Sequence, residues 1–145
     1  MMPPIPTGSD GLLDIMAEAC KGRPDAYKWF AGLLQLSFVL DDLRDGDELD
    51  RRHAERAIVA VAVGWGTNPF YLQHSAVLSS ALWLAWKAWS ESDTDPLLRC
   101  KAFDVATEVG SLVALLVLGY EGAEEISGRL RRWAFVQMKK NDAKG

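Results

Sequence analysis

Residues 24–45 read PDAYKWFAGLLQLSFVLDDLRD, and the way this stretch folds decides the rest of the chain. Pro24 suits the first position of a helix, where its missing N–H has no intrahelical partner to lose. Asp25 follows in the first turn, where the helix dipole favours a negative charge. Trp29, Phe30, Leu33, Leu34, Leu36, Phe38, Val39 and Leu40 make the segment apolar nearly all round. A helix of that kind is central in its domain. Gly46 stands where such a helix ends.

Working outward, residues 1–9 carry Pro3, Pro4 and Pro6, which forbid a helix there and predict an extended arm, disordered or laid across a partner. Ser9 or Asp10 is placed to cap a first helix running to about Lys21, with Gly22 ending it. Beyond Gly46, Asp47 reads as the cap of a third helix over about 48–64, with Glu48 and Asp50 in its first turn. The run AIVAVAVGW within it alternates weakly and is open to reading as a strand, but its length and its polar start favour helix. Gly64, Gly66 and Asn68-Pro69 mark a turn. A fourth helix is expected over about 69–90, a fifth over 96–118 and a sixth over about 122–140, with a tail at 141–145. The fourth carries Trp83, Trp86 and Trp89 three residues apart, a ladder that belongs to a core or to a subunit interface. The expected fold is all-α, a single-domain bundle of about six helices over residues 10–140.

Composition agrees with such a domain. The chain has 145 residues, 49% of them apolar and six of them tryptophan, enough for a core without staples. A net charge of −4 argues against a general nucleic-acid binder, which carries a basic face. Cys20 and Cys100 are too few for a disulfide framework and read as thiols of a reducing compartment. His53 and His74 stand apart from any zinc-like spacing. The longest apolar runs, 112–118 and 57–65, fall short of the roughly 18 residues a bilayer requires. MMPPIPTGSD lacks the basic and apolar regions of a signal peptide, so the expected location is cytoplasmic.

The chemically pointed feature lies where the opening helix ends. Between Asp41 and Asp50 there are six acids and one base, Arg44. Asp47, Glu48 and Asp50 fit a cap and a first turn. Asp41, Asp42 and Asp45 sit at a helix C-terminus, where the dipole disfavours them. At about 100° per residue, Asp41 and Asp45 continue the side of Tyr27, Phe30, Leu34 and Phe38. Two carboxylates one turn apart on an apolar face repel each other unless a cation lies between them. Asp104 and Glu108 repeat the spacing on the fifth helix. If the two helices meet, Asp41, Asp45, Asp104 and Glu108 line one pocket for Mg²⁺ or Mn²⁺, with Asp42 as a neighbouring or additional ligand. Arg51, Arg52 and Lys101 are then candidates for an anionic group such as phosphate. The plainer alternative is a solvated turn, with Asp41 paired to Arg44 and Asp104 to Lys101. An EF-hand is excluded, because Leu43 and Arg52 occupy the third and twelfth places of the loop.

Two resemblances follow from these residues. LDDLRD with Arg51-Arg52 resembles the first aspartate-rich motif of trans-prenyl diphosphate synthases, which implies Asp41 and Asp45 as Mg²⁺ ligands and the arginines near a diphosphate. The match covers about a dozen residues, the family's second aspartate motif is absent, and the chain has about half the length of such enzymes. Over most of its length the chain is similar to small helical proteins of tailed bacteriophages: DDLRDGD after an apolar helix, NPFY at 68–71, a tryptophan-rich helix, Arg99 and Asp104 on the next, and Gly119. Two functions are therefore expected. One is a carboxylate-lined metal site acting on a phosphate or diphosphate compound. The other is a non-catalytic virion or assembly protein that contacts itself or other phage proteins through its helices. Arg129, Arg131, Arg132, Lys139, Lys140 and Lys144 oppose the aspartate loop in charge and suit head-to-tail contact. A nucleic-acid adaptor built on those bases is the weakest reading, and no membrane role is expected.

Overall fold

A computed structural model describes residues 10–144, so the proline-rich arm expected over 1–9 lies outside the described residues. Every element is helical: α1 Asp10–Ala19, α2 Pro24–Asp45, α3 Arg51–Val59, a π-helical turn Ala60–Trp65, α4 Pro69–Thr94, a 3₁₀ segment Pro96–Phe103, a second π turn Val105–Val109, and α5 Gly110–Lys144. The all-α expectation holds, with five α-helices in place of about six. The expected fifth helix divides into the 3₁₀ segment, the π turn and the start of α5. The expected sixth is the remainder of α5, joined at Gly119, whose φ of 81° and ψ of −178° break the helical path.

α2 has the bounds its sequence predicts. Pro24 opens it, and Gly46 closes it in the left-handed conformation at φ 71°, its N–H donating to the Asp42 carbonyl. The capping expectation at Asp47 is corrected. Asp47 follows Gly46 without starting a helix, and its N–H also returns to Asp42 O at 3.0 Å. Asp50 is the cap instead: it is extended, and its carboxylate accepts from Arg52 N at 2.9 Å and His53 N at 3.3 Å. These two bonds satisfy amide donors that the first turn leaves open, and they hold the Asp50 carboxyl below its ordinary range.

The weakly alternating AVAVGW is helical, wound wide as a π turn, so the strand alternative falls. α4 runs past Ser90 to Thr94, where Ser92 and Thr94 donate back to the Trp89 and Glu91 carbonyls, and Asp95 caps the next segment at Leu97 N.

The chain forms two compact units. The middle unit is Arg23–Ser75, and the terminal unit is Met1–Gly22 with Ala76–Gly145. The middle unit packs α3 and the π turn on α2. Its buried side chains are Ala26, Trp29, Phe30, Ala31, Leu33, Leu34, Ala57 and Phe70. Trp29 is ringed by Trp65 at 5.3 Å, Phe70 at 6.3 Å and Tyr71 stacked at 5.9 Å. Asn68, nearly buried, pins the start of α4 by donating to Asp25 O at 2.9 Å and accepting from Tyr71 N. In the terminal unit α1 packs on α5, burying Leu12, Met16 and Ala19 with Val113, Ile126 and Leu130. Arg129 ties the two helices with a 2.7 Å bond to Glu18.

The stretch Pro96–Ala143 is long and apolar enough to cross a membrane by length and composition, with a window of mean hydropathy 1.7. This revises the expectation of no such segment. That expectation counted unbroken apolar runs, whereas an average absorbs the polar residues between them. Only 33% of the window is buried, and core helices pass the same test.

Candidate functional site

The residues singled out from sequence divide between the two units. Asp41, Asp42, Asp45, Arg51 and Arg52 belong to the middle unit; Lys101, Asp104 and Glu108 belong to the terminal unit. Among the described residues no group of three or more His, Cys, Asp or Glu side chains gathers as a metal would require. Asp41 and Asp45 are exposed and Asp42 half-buried at the end of α2, where burial fades after Leu34. Arg52 lines a shallow hollow of about 630 Å³ with Lys28, Glu55 and Arg56, a mainly basic surface beside the first π turn.

Asp104, Glu108 and Lys101 do come together. They line a cleft of about 300 Å³ over the second π turn, closed on its far side by Arg131, Phe135 and Met138 of α5. The wide turn matters here. A π bulge displaces the backbone that follows it, and such bulges recur at functional sites. Ala106, Thr107 and Val109 point into the core and fix the turn, while Asp104 is left only 15% exposed at its mouth. Burial raises the Asp104 carboxyl above its ordinary value. Glu108 pushes the same way, and Lys101 and Arg131 oppose. Each acid faces a base: Lys101 Nζ lies 3.9 Å from Asp104, and Arg131 Nη2 lies 3.1 Å from Glu108. The Asp104–Lys101 pairing weighed from sequence is therefore present, and the cleft holds two acid–base pairs beside the apolar Phe103, Ala134 and Met138. Arg131 is the member that the sequence reading assigned only to a basic tail. Its distance in sequence from Glu108 hides the contact.

The second feature is α4, whose apolar residues have two fates. Leu78 and Ala85 are fully or almost fully buried. Trp83 and Leu84 are each 63% exposed, and Val77 and Trp86 are 43% and 42% exposed. Trp86 and Trp89 meet edge to face at 5.3 Å, so part of the ladder packs on itself along the helix. Between Pro69 and Ser90 the only Lys, Arg, Asp or Glu is Lys87. A helix with this little charge and this many large apolar residues is ordinarily enclosed. This one is enclosed on one side, and monomers rarely leave contiguous apolar surface of this kind uncovered. The ladder was legible as core or interface; that Leu84 joins Trp83 at the surface was not, because a helix apolar all round does not reveal which side faces in.

No family model, curated protein or solved structure matches this chain.

Proposed function

We propose that this chain is an interaction protein that works through α4. The observation that carries the reading is one helix whose stretch from Pro69 to Ser90 has Lys87 as its only Lys, Arg, Asp or Glu, with Trp83 and Leu84 each 63% exposed. Tryptophans in such positions dominate protein contacts, because each buries a large rigid surface at little entropic cost. The partner is a second copy or another protein of an assembly, and the resemblance to bacteriophage helical proteins favours a virion or assembly component. Light scattering of the full chain across a salt series tests it. An apolar contact through α4 persists as salt rises, whereas head-to-tail attraction between the aspartate loop and the basic end of α5 is screened. Association lost at high salt and untouched by Trp83→Glu contradicts the reading.

A second reading rests on the cleft. The raised Asp104 carboxyl beside Glu108 favours a site for Mg²⁺ or Mn²⁺ with a phosphate or diphosphate compound. Magnesium is held by one or two protein carboxylates when phosphate and water complete its shell. In this reading Asp104 and Glu108 take the cation, while Lys101 and Arg131 turn to the phosphate. Calorimetric titration with Mg²⁺ or Mn²⁺ in the presence of inorganic phosphate gives heat that Asp104→Ala removes. No heat in the native chain ends this reading, and an unchanged signal in Asp41→Ala confines it to the cleft.

A further inference from the structure

We infer that the occupant of the exposed α4 face is a second copy of α4, laid antiparallel about a twofold axis near Ala81. The inference rests on the contact-face reading above and adds to it the partner and the register. Along one exposed stripe of α4 the positions fall three, four and three apart: Ala76, Ser79, Trp83 and Trp86. That spacing is the seam by which two helices mesh. The stripe is small in its first half and large in its second. In an antiparallel copy centred at Ala81, Trp83 faces Ser79 of the copy and Trp86 faces Ala76 of the copy, and the reverse. Every large side chain then meets a small one, the condition for two helices to interdigitate. A parallel copy sets Trp83 against Trp83 and Ala76 against Ala76, which gives a clash at one end and a void at the other.

Charge selects the same occupant. The four stripe residues carry none, and Lys87 at its edge is the only Lys, Arg, Asp or Glu between Pro69 and Ser90. A partner that buries this face must therefore offer an uncharged helix-sized surface, and α4 is itself such a surface. On this stripe Trp83 and Trp86 leave on the order of 250 Å² exposed, and Ala76 and Ser79 beside them are exposed as well. A twofold contact of this kind closes on itself and stops at a dimer.

The test uses the full chain with Cys100→Ser, since Cys100 is an exposed thiol and Cys20 is buried. In the antiparallel pair Ser80 lies on the order of 9 Å from its own copy, too far for a disulfide but within reach of a short bis-maleimide, so that reagent links Ser80→Cys into a dimer. Ser90 lies about 27 Å from its own copy, so Ser90→Cys stays monomeric. In sedimentation from about 1 μM to about 1 mM, Trp83→Ala weakens the dimer by about thirtyfold or more. Ala76→Trp fills the small slot and weakens it at least about tenfold. Joining Ala76→Trp to Trp86→Ala exchanges large for small on both sides and restores it. Crosslinking through Ser90→Cys, or a dimer indifferent to Ala76→Trp, overturns the register. A native chain that stays monomeric throughout overturns the self-pairing. In that case iodide quenching of Trp83, read as the difference from Trp83→Phe, separates the two claims. Quenching leaves the contact face with a different protein as its occupant, and no quenching removes both.

Discussion

Trp29 and Trp83 are the same residue on two apolar helices, and they have opposite surroundings. Trp29 is 1% exposed, enclosed in the middle unit by Trp65, Phe70 and Tyr71. Trp83 is 63% exposed on α4 in the terminal unit. The difference lies in what the chain supplies around each. α2 is followed by α3 and a π turn that fold back onto it, so its aromatic face finds cover within about 45 residues. α4 is followed by the short 3₁₀ segment and the π turn, and its bulky residues from Val77 to Trp86 are covered on one side only. An apolar helix is thus a demand for burial, and the fold meets that demand for α2 while leaving Trp83 and Leu84 of α4 exposed.

The largest expected effect breaks the enclosed side of this comparison. Trp29→Ala removes the centre of the aromatic cluster and destabilises the chain by about 3–5 kcal/mol in urea unfolding. Gly119→Ala acts on the backbone of the terminal unit. No side chain crowds the site, but φ 81° with ψ −178° is a region that only glycine adopts freely, so the cost is about 1–3 kcal/mol in thermal melts. Asp104→Asn runs the other way. Because the folded carboxyl titrates above 3.8, the fold favours its protonated form. That contribution is complete below 3.8 and is lost as pH rises through the raised value. The asparagine variant is therefore more stable than the native chain at neutral pH, and the gain shrinks as melts are repeated toward acid. Smallest of all is Trp83→Ala, which leaves the stability of the isolated chain within about 0.5 kcal/mol while removing association. A cost near that of Trp29→Ala would mean that Trp83 is enclosed after all.

Much of this was legible in the sequence. The bounds of α2 followed from Pro24 and Gly46, because proline and glycine act through local backbone geometry that no distant contact overrides. The cap of α3 was misplaced by three residues for the same local reason. Asp47 and Asp50 are both good caps, and only the path after Gly46 decides between them. The two carboxylate pairs show the limit most clearly. Asp41 with Asp45 and Asp104 with Glu108 share one spacing. The first pair lies at an exposed helix end, and the second lies in a cleft whose burial raises Asp104. The wide turn that makes that cleft, and Arg131 reaching it from 23 residues away, leave no local signature.

The central claim is that α4 presents its apolar face to solvent in the folded monomer and covers it on association. Iodide quenching of Trp83, taken as the difference between the native chain and Trp83→Phe, measures this directly. The account predicts strong quenching in dilute solution that falls as the protein is concentrated or its partner is added. A Trp83 shielded from iodide at every dilution, with the chain at its monomer mass of 16.0 kDa, would contradict it.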